Sequence, residues 1–339
     1  LEQVKVAPAV TLENISETVT ATIKQEVVFE DGELTITPNV KLEDFEGMVT
    51  AVITQQVTEP DNVTVNPNVT LNDVDGIVKA VITQVVEMTP VMLAAEPNIT
   101  LEDYKGMVTA TVTQEVEALP EMEVVPNVTV SDLHETVKAI ITQEVEFVDG
   151  EMTIAPNIKL EDVTGVVTAT IIQAIAPIDR ETIEPNVFLK DMEGVVTASI
   201  TQVLQQQPDE LSAEPNITLK DFTGAVEAVI TQNVTELQYL TVKPNVTLEN
   251  IEGVVKATIT QVLELTPEEL VASPNVVLKD LQDVIKVELH IDTSNIDTTK
   301  AALEDLNNFE ISINLDSDAG LDGIESMRRE LEELRGLSE

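Results

Sequence analysis

A proline recurs along the chain at Pro8, Pro38, Pro67, Pro97, Pro126, Pro156, Pro185, Pro215, Pro244 and Pro274, and its spacing alternates strictly between 30 and 29. Asn follows it in every copy but the first, where Ala9 stands. Self-similarity of this period means one structural unit copied many times, so the fold must satisfy ten nearly identical segments at once. A Gln follows at one fixed interval from the proline in nine copies, at Gln25, Gln55, Gln84, Gln114, Gln143, Gln173, Gln202, Gln232 and Gln261. The Pro-to-Gln part therefore has fixed length, and the alternation falls in the 13- or 12-residue connection to the next proline. That alternation implies a 59-residue double unit. The tenth copy replaces its Gln with Ile291 and the usual Gly with Asp283, as a terminal capping repeat would.

Inside a repeat the hydrophobic period is two. Leu34 and Ile36 alternate with threonines before the proline, and Val40 and Leu42 alternate with polar residues after it. Val49, Ala51, Ile53, Gln55 and Val57 then continue the alternation. Such Val/Ile/Thr-rich alternation predicts two strands per repeat. Between them lies Asp44-Phe45-Glu46-Gly47, with Asp or Asn first in all ten copies and Gly fourth in seven. An Asx that can cap a turn, followed by a Gly free to take positive φ, fits a type I turn with a G1 bulge. Proline donates no ladder bond, so the strand carrying it should bend there and switch sheets.

The expected fold is thus an all-β repeat protein. Ten two-strand hairpin repeats over 1–291 form an elongated sandwich or ladder, and a small α/β module occupies 292–339. At that end of the chain Lys286–Asp292 and Phe309–Leu315 read as strands, and Thr298–Asn307 and Glu325–Arg335 as helices. A β-solenoid with one coil per repeat is the first alternative: it accounts well for the Gln column and poorly for the 30/29 alternation. A five-bladed propeller leaves the likeness of all ten copies unexplained.

The repeat positions that stand out are Gln55, Gln84, Gln114, Gln143, Gln202, Gln232 and Gln261, with Asp44 and Gly47 at the link. A Gln on the apolar face must find partners for its amide. If equivalent strands stack in parallel, an amide ladder supplies them; if the other strand of each repeat lies between, copies sit two strand spacings apart and the amide must bond to backbone instead. In either case the preferred role is a pin that fixes register. Carboxylates concentrate in the links, as at Glu43, Asp44 and Glu46, while outer strand positions are mostly Thr, Val or Lys. One segment of the tail, Asn314 to Glu325, resembles an EF-hand calcium loop, with Asn314, Asp316, Asp318, Asp322 and Glu325 at oxygen-bearing spacings. It departs from that pattern at its first position, which is Asn314, and at its sixth, where Ala319 replaces the turn glycine. A plain turn capping the last helix is the simpler reading. Calcium is the one cofactor the sequence leaves open, and none is required.

Composition narrows the function. Eighteen basic against 62 acidic residues give a net charge of −44, the reverse of a nucleic-acid-binding surface. The apolar share of 43% is nonetheless high enough for a folded core. There is no Cys, and the two histidines, His134 and His290, do not recur with the repeat, so no triad or thiolate chemistry can be assembled. No apolar run reaches the length of a membrane helix. The chain opens on Leu1 without an apolar leader after it, which reads as a trimmed terminus. These features predict a non-enzymatic structural component of an extracellular assembly: a cell-surface filament, sheath or stalk, or a virion fibre or tail part. It would self-associate as a homo-oligomer or polymer, alone or with other surface or virion proteins. The rival expectation is a monomeric calcium-dependent adhesion or binding module.

Overall fold

The computed structural model describes residues 3–314, except the connections at 29–32, 59–61, 88–91, 118–120, 147–150, 177–179, 206–209, 236–238, 265–268 and 283–284 and the stretch 293–310. Each repeat is one coil of a β-solenoid. In the second coil a four-residue strand, Glu33–Ile36, leads through Thr37-Pro38 into a twenty-residue strand, Asn39–Thr58. The same pair recurs down to Tyr239–Val242 and Asn245–Glu264 in the ninth coil. The short strands stack into a ten-stranded sheet and the long ones into a thirteen-stranded sheet that includes the divided strands at both ends. All pairing is parallel and equivalent residues lie on one another: Gly47 on Gly76, Ala51 on Ala80, Gln55 on Gln84.

The all-β repeat class therefore holds in its solenoid form, and the hairpins do not form. The segments before and after Asp44–Gly47 are one bent strand that pairs with its counterparts in adjacent coils. Phe45, Glu46 and Gly47 stay in the ladder, opposite Val74, Asp75 and Gly76. The link turns a corner because Asp44 is left-handed, with φ +50, whereas Gly47 is at φ +132. The single left-handed residue also shifts the inward alternation, so burial runs Val40, Leu42, then Phe45 and Val49. A parallel stack lets every residue of this corner keep its neighbours above and below, which a hairpin turn would not.

The 30/29 alternation counted against a solenoid, yet it lies wholly in the connections. Residues 59–61 join coils two and three, and 88–91 join coils three and four; the strands on either side keep the same length and register. Extra residues outside the ladder cost the stack nothing in register. The longer connections each carry Asp or Pro at one fixed position, Asp31, Pro90, Asp149, Pro208 and Pro267, which reads as a turn; these residues lie outside the described ones.

The sheet switch at proline is present as expected. Thr37 N donates to Val6 O, and Asn39 N donates to Pro8 O, both at 2.9 Å, and the pattern repeats down the stack. The missing proline N–H thus falls between two sheets, where no ladder bond needs it. Of the tail, the expected strands appear as Ile285–Asp292 and Ile311–Asn314, pairing in parallel with the long strand of coil nine and with Asn275–Gln282. The two expected helices lie outside the described residues.

The interior is filled by Val, Ile, Leu and Ala, most of them under 4% exposed. The apolar residue of the corner is part of the core, from Phe45 through Tyr104 to Phe222. Tyr104 donates its hydroxyl to the Gly76 carbonyl at 2.5 Å, and burial, with Asp75 nearby, pushes its phenol well above the usual range. That carbonyl belongs to the tightest part of the stack. A Cβ on Gly76 would lie 1.9 Å from the Gly47 oxygen, and one on Gly106 would lie 2.0 Å from the Gly76 oxygen. Between Gly47 and Gly253 only Glu135 breaks this glycine column, at a positive φ of +133.

A non-glycine residue held there stores about 1–3 kcal/mol of strain, and glycine's larger unfolded-state entropy offsets part of its removal. Glu135→Gly is therefore expected to raise unfolding free energy by about 1 kcal/mol in chemical denaturation. Gly194→Ala is expected to lower it by several times that amount. Equal stability of Glu135→Gly and the parent would remove the strain assignment.

Candidate functional site: the glutamine column and the outer faces

The Gln column is the one polar element inside the solenoid among the described residues. The eight glutamines from Gln55 to Gln261 are 0–1% exposed, set on the same face as Ala51 and Ile53 by the two-residue period. In-register stacking places successive amides about 4.8 Å apart, within reach of one another. Gln55 Nε2 donates to Gln25 Oε1 at 3.0 Å, Gln84 to Gln55 at 3.2 Å, Gln114 to Gln84 at 2.8 Å and Gln143 to Gln114 at 3.0 Å. The chain of bonds continues through Gln173, Gln202 and Gln232 to Gln261 without a gap. Every bond points the same way, so the amide dipoles align and polarise one another. The column ends at Gln261, whose Oε1 has no partner; the register position beyond it is Ile291.

A shorter asparagine ladder runs along the Pro-Asn corner. Asn186 donates to Asn157 at 2.9 Å, Asn216 to Asn186 at 2.8 Å, Asn245 to Asn216 at 2.7 Å and Asn275 to Asn245 at 2.9 Å. Upstream it lapses: Asn127 Nδ2 turns to the Val125 carbonyl and Asn68 Nδ2 to Thr70.

The corner carboxylates form a column of a different kind. Asp44, Asp73, Asp103, Asp132, Asp162, Asp191 and Asp221 all sit at φ between +50 and +53, with Asn14 and Asn250 at the ends. Asx is selected because Asp and Asn enter the left-handed region most readily of the side-chain-bearing residues. Backbone conformation thus explains the residue type, while the charge is repeated at strand spacing. Lys190 pairs with Asp191 at 2.9 Å, and Asn250 Nδ2 donates to Asp221 at 2.8 Å. One column inward, Glu249 bridges Lys220 and Lys279, whose hydrogen bonds hold its carboxyl below the usual carboxylate range.

Of the tail loop, only Asn314 is described, at the end of its strand; Asp316, Asp318, Asp322 and Glu325 lie outside the described residues. Among the described residues no three His, Asp or Glu side chains group to hold a metal. His134 and Thr164 meet at the surface, Nδ1 to Oγ1 at 2.7 Å. No helix among the described residues is long and apolar enough to cross a membrane.

One surface feature escapes a single-repeat reading. The residue after the corner glycine faces outward and is apolar in most coils: Met48, Ile77, Met107, Val166, Val195 and Val254 are 46–54% exposed. In register they form one stripe along the solenoid, interrupted by Thr136 and Ala225. The signal was present as the residue after Gly in each copy, but its meaning depends on the stacking.

Gln143→Leu strips Gln114 Oε1 of its donor and Gln173 Nε2 of its acceptor, both buried, at about 1–3 kcal/mol each. Gln261→Leu strands only Gln232 Oε1 and removes an oxygen that is already unpaired. Urea denaturation should find Gln143→Leu the more destabilising by about 1–3 kcal/mol; equal losses would show that the column does not act as a chain. For the Asp column, replacing Asp103, Asp132 and Asp162 together by Asn should raise the melting temperature at low salt, with the gain shrinking as salt screens the parent's repulsion. A gain independent of salt would place its origin outside charge. No protein-family model, curated protein or solved structure matches this chain.

Proposed function

We propose that this protein is a structural component of an extracellular assembly, a surface filament, sheath or stalk or a virion fibre or tail part, built by self-association of a rigid acidic β-scaffold. It acts through shape and surface rather than by catalysis. The observation that carries this reading is the unbroken interior. From coil two to coil nine, apolar columns and the Gln ladder fill the solenoid, and the same positions repeat on its outside. A stack of this kind gives reach and rigidity, about 4.8 Å per coil and roughly 45 Å for ten. The repeated outer columns offer the same contacts at fixed intervals, which suits a lattice or fibre better than a single substrate.

Charge supports the location and the partner class. A net charge of −44 keeps such a scaffold soluble and disfavours polyanionic partners. Without Cys the chain has no thiol to oxidise outside a reducing compartment.

Sedimentation velocity and negative-stain imaging over a range of protein concentrations test the reading, in the presence and absence of calcium. Concentration-dependent growth into dimers, rods or sheets is expected. A monomer at every concentration in both conditions would overturn it, and association that requires calcium would move the reading toward the adhesion module.

A further inference from the structure

We infer that the outer face of the long strands, from the column of Met48 to the column of Gln56, is the surface on which a second copy of this chain docks. This rests on the self-association reading and names its interface.

Across coils two to nine, five outward columns make one continuous sheet face, mainly of Thr, Ser, Val, Ile and Met. Its only charges are Lys79, Lys138, Lys256, Glu115, Glu144 and Glu227, which sum to zero on a chain of net charge −44. Both ends of the face are charged instead: Lys24 and Glu26 in coil one, Lys286, Glu288 and His290 in coil ten. The apolar stripe lies along one edge of this face, and Ile172, 41% exposed, adds to it from a second column. A surface that adds nothing to the net charge and carries an apolar stripe is where two such molecules repel least and gain most from losing water.

Size agrees with the assignment. Eight coils at about 4.8 Å by eight residues at about 3.3 Å give roughly 1,000 Å², above the roughly 800 Å² each partner contributes to a stable interface. Sheets packing face to face are a standard solution for two such surfaces.

The charges also select a symmetry. A two-fold axis lying in the face, parallel to the strands and between coils five and six, sets coil three of one copy on coil eight of the other. The Lys79 column position then meets that of Glu227 in the partner, twice in the dimer, because both residues belong to the column of Thr50. Lys138 and Lys256 meet the threonine positions Thr168 and Thr50, and Glu115 and Glu144 lie in the outermost column at the rim. Placing the axis through coil six would set Lys79 against Lys256. A cationic protein would gain more at the Asp corner than on this neutral face, so a copy of the same face is the occupant that fits.

Sedimentation equilibrium of four variants tests this. Val166→Lys/Val195→Lys puts two charges in the apolar stripe, central along the stack and on exposed positions, and should weaken association at least tenfold with an unchanged melting temperature. Lys79→Glu and Glu227→Lys should each weaken it several-fold, and the double exchange Lys79→Glu/Glu227→Lys should restore the parent affinity. If the parent associates and all four variants match it, this face is not the interface, though self-association stands. If the central variant dissociates but the double exchange gives no recovery, the proposed axis is wrong. A parent that stays monomeric removes both the interface and the self-association reading.

Discussion

Everything in this structure depends on one coil lying in register on the next. A parallel sheet is tolerant of slippage in its backbone bonds, which look alike at every second residue. The side chains are what make one register unique. Here the Gln column does so most strictly, because a slip by one pleat would place each buried amide against a Val, an Ile or a Leu. Both polar ends of that amide would then be unsatisfied inside an apolar interior. The glycine column adds a steric condition at the corner, where a Cβ on Gly76, Gly106, Gly165, Gly194, Gly224 or Gly253 would lie 1.9–2.1 Å from the carbonyl oxygen of the coil before. Register and corner together hold the inward columns continuous and the outward columns straight. The stripe of Met48 and its equivalents and the neutral face beside it are products of that straightness.

The sequence made the unit, its strands, its bend at proline and its buried glutamines legible, since each rests on local pattern. It did not make the partner of each strand legible. Val40 to Val57 alternates equally well whether its neighbour is the preceding segment or the next copy, and Asp44–Gly47 carries the residues of a hairpin turn as well as those of a solenoid corner. The difference lies in positive φ at Asp44 and Gly47 with Phe45, Glu46 and Gly47 kept in the ladder, which the residue types alone do not dictate. The 30/29 alternation misled for a related reason: spacing along the chain does not distinguish a residue in the ladder from one in a connection. The amide ladder itself was the better guide, because a Gln in every copy has a simple physical use only when copies sit one strand apart.

Function lies further from the pattern than fold does. Apolar positions at the corner exit are single residues within a repeat, and a lone exposed Met or Val carries no information. Stacked coil upon coil, they become a stripe beside a face without net charge on a highly acidic molecule. The Asp column shows the opposite relation, since its residue type follows from backbone conformation, and its charge is a consequence the stack must accommodate with Lys, Asn and salt. Between coils two and nine, Glu135 is the one corner residue that obeys neither rule, a side chain kept where seven other coils have glycine.

The central claim is that equivalent positions climb one strand spacing per repeat, whether the connection between them is the longer or the shorter kind. Pulsed dipolar spectroscopy on dilute protein with spin labels at Thr54 and Thr201, and in a second sample at Thr54 and Thr260, measures this directly. Five coils separate the first pair and seven the second, so narrow distributions centred at about 24 Å and about 34 Å are expected. Separations that fail to grow by about 4.8 Å per coil, or that alternate with the length of the connection, would contradict the solenoid register and all that is built on it.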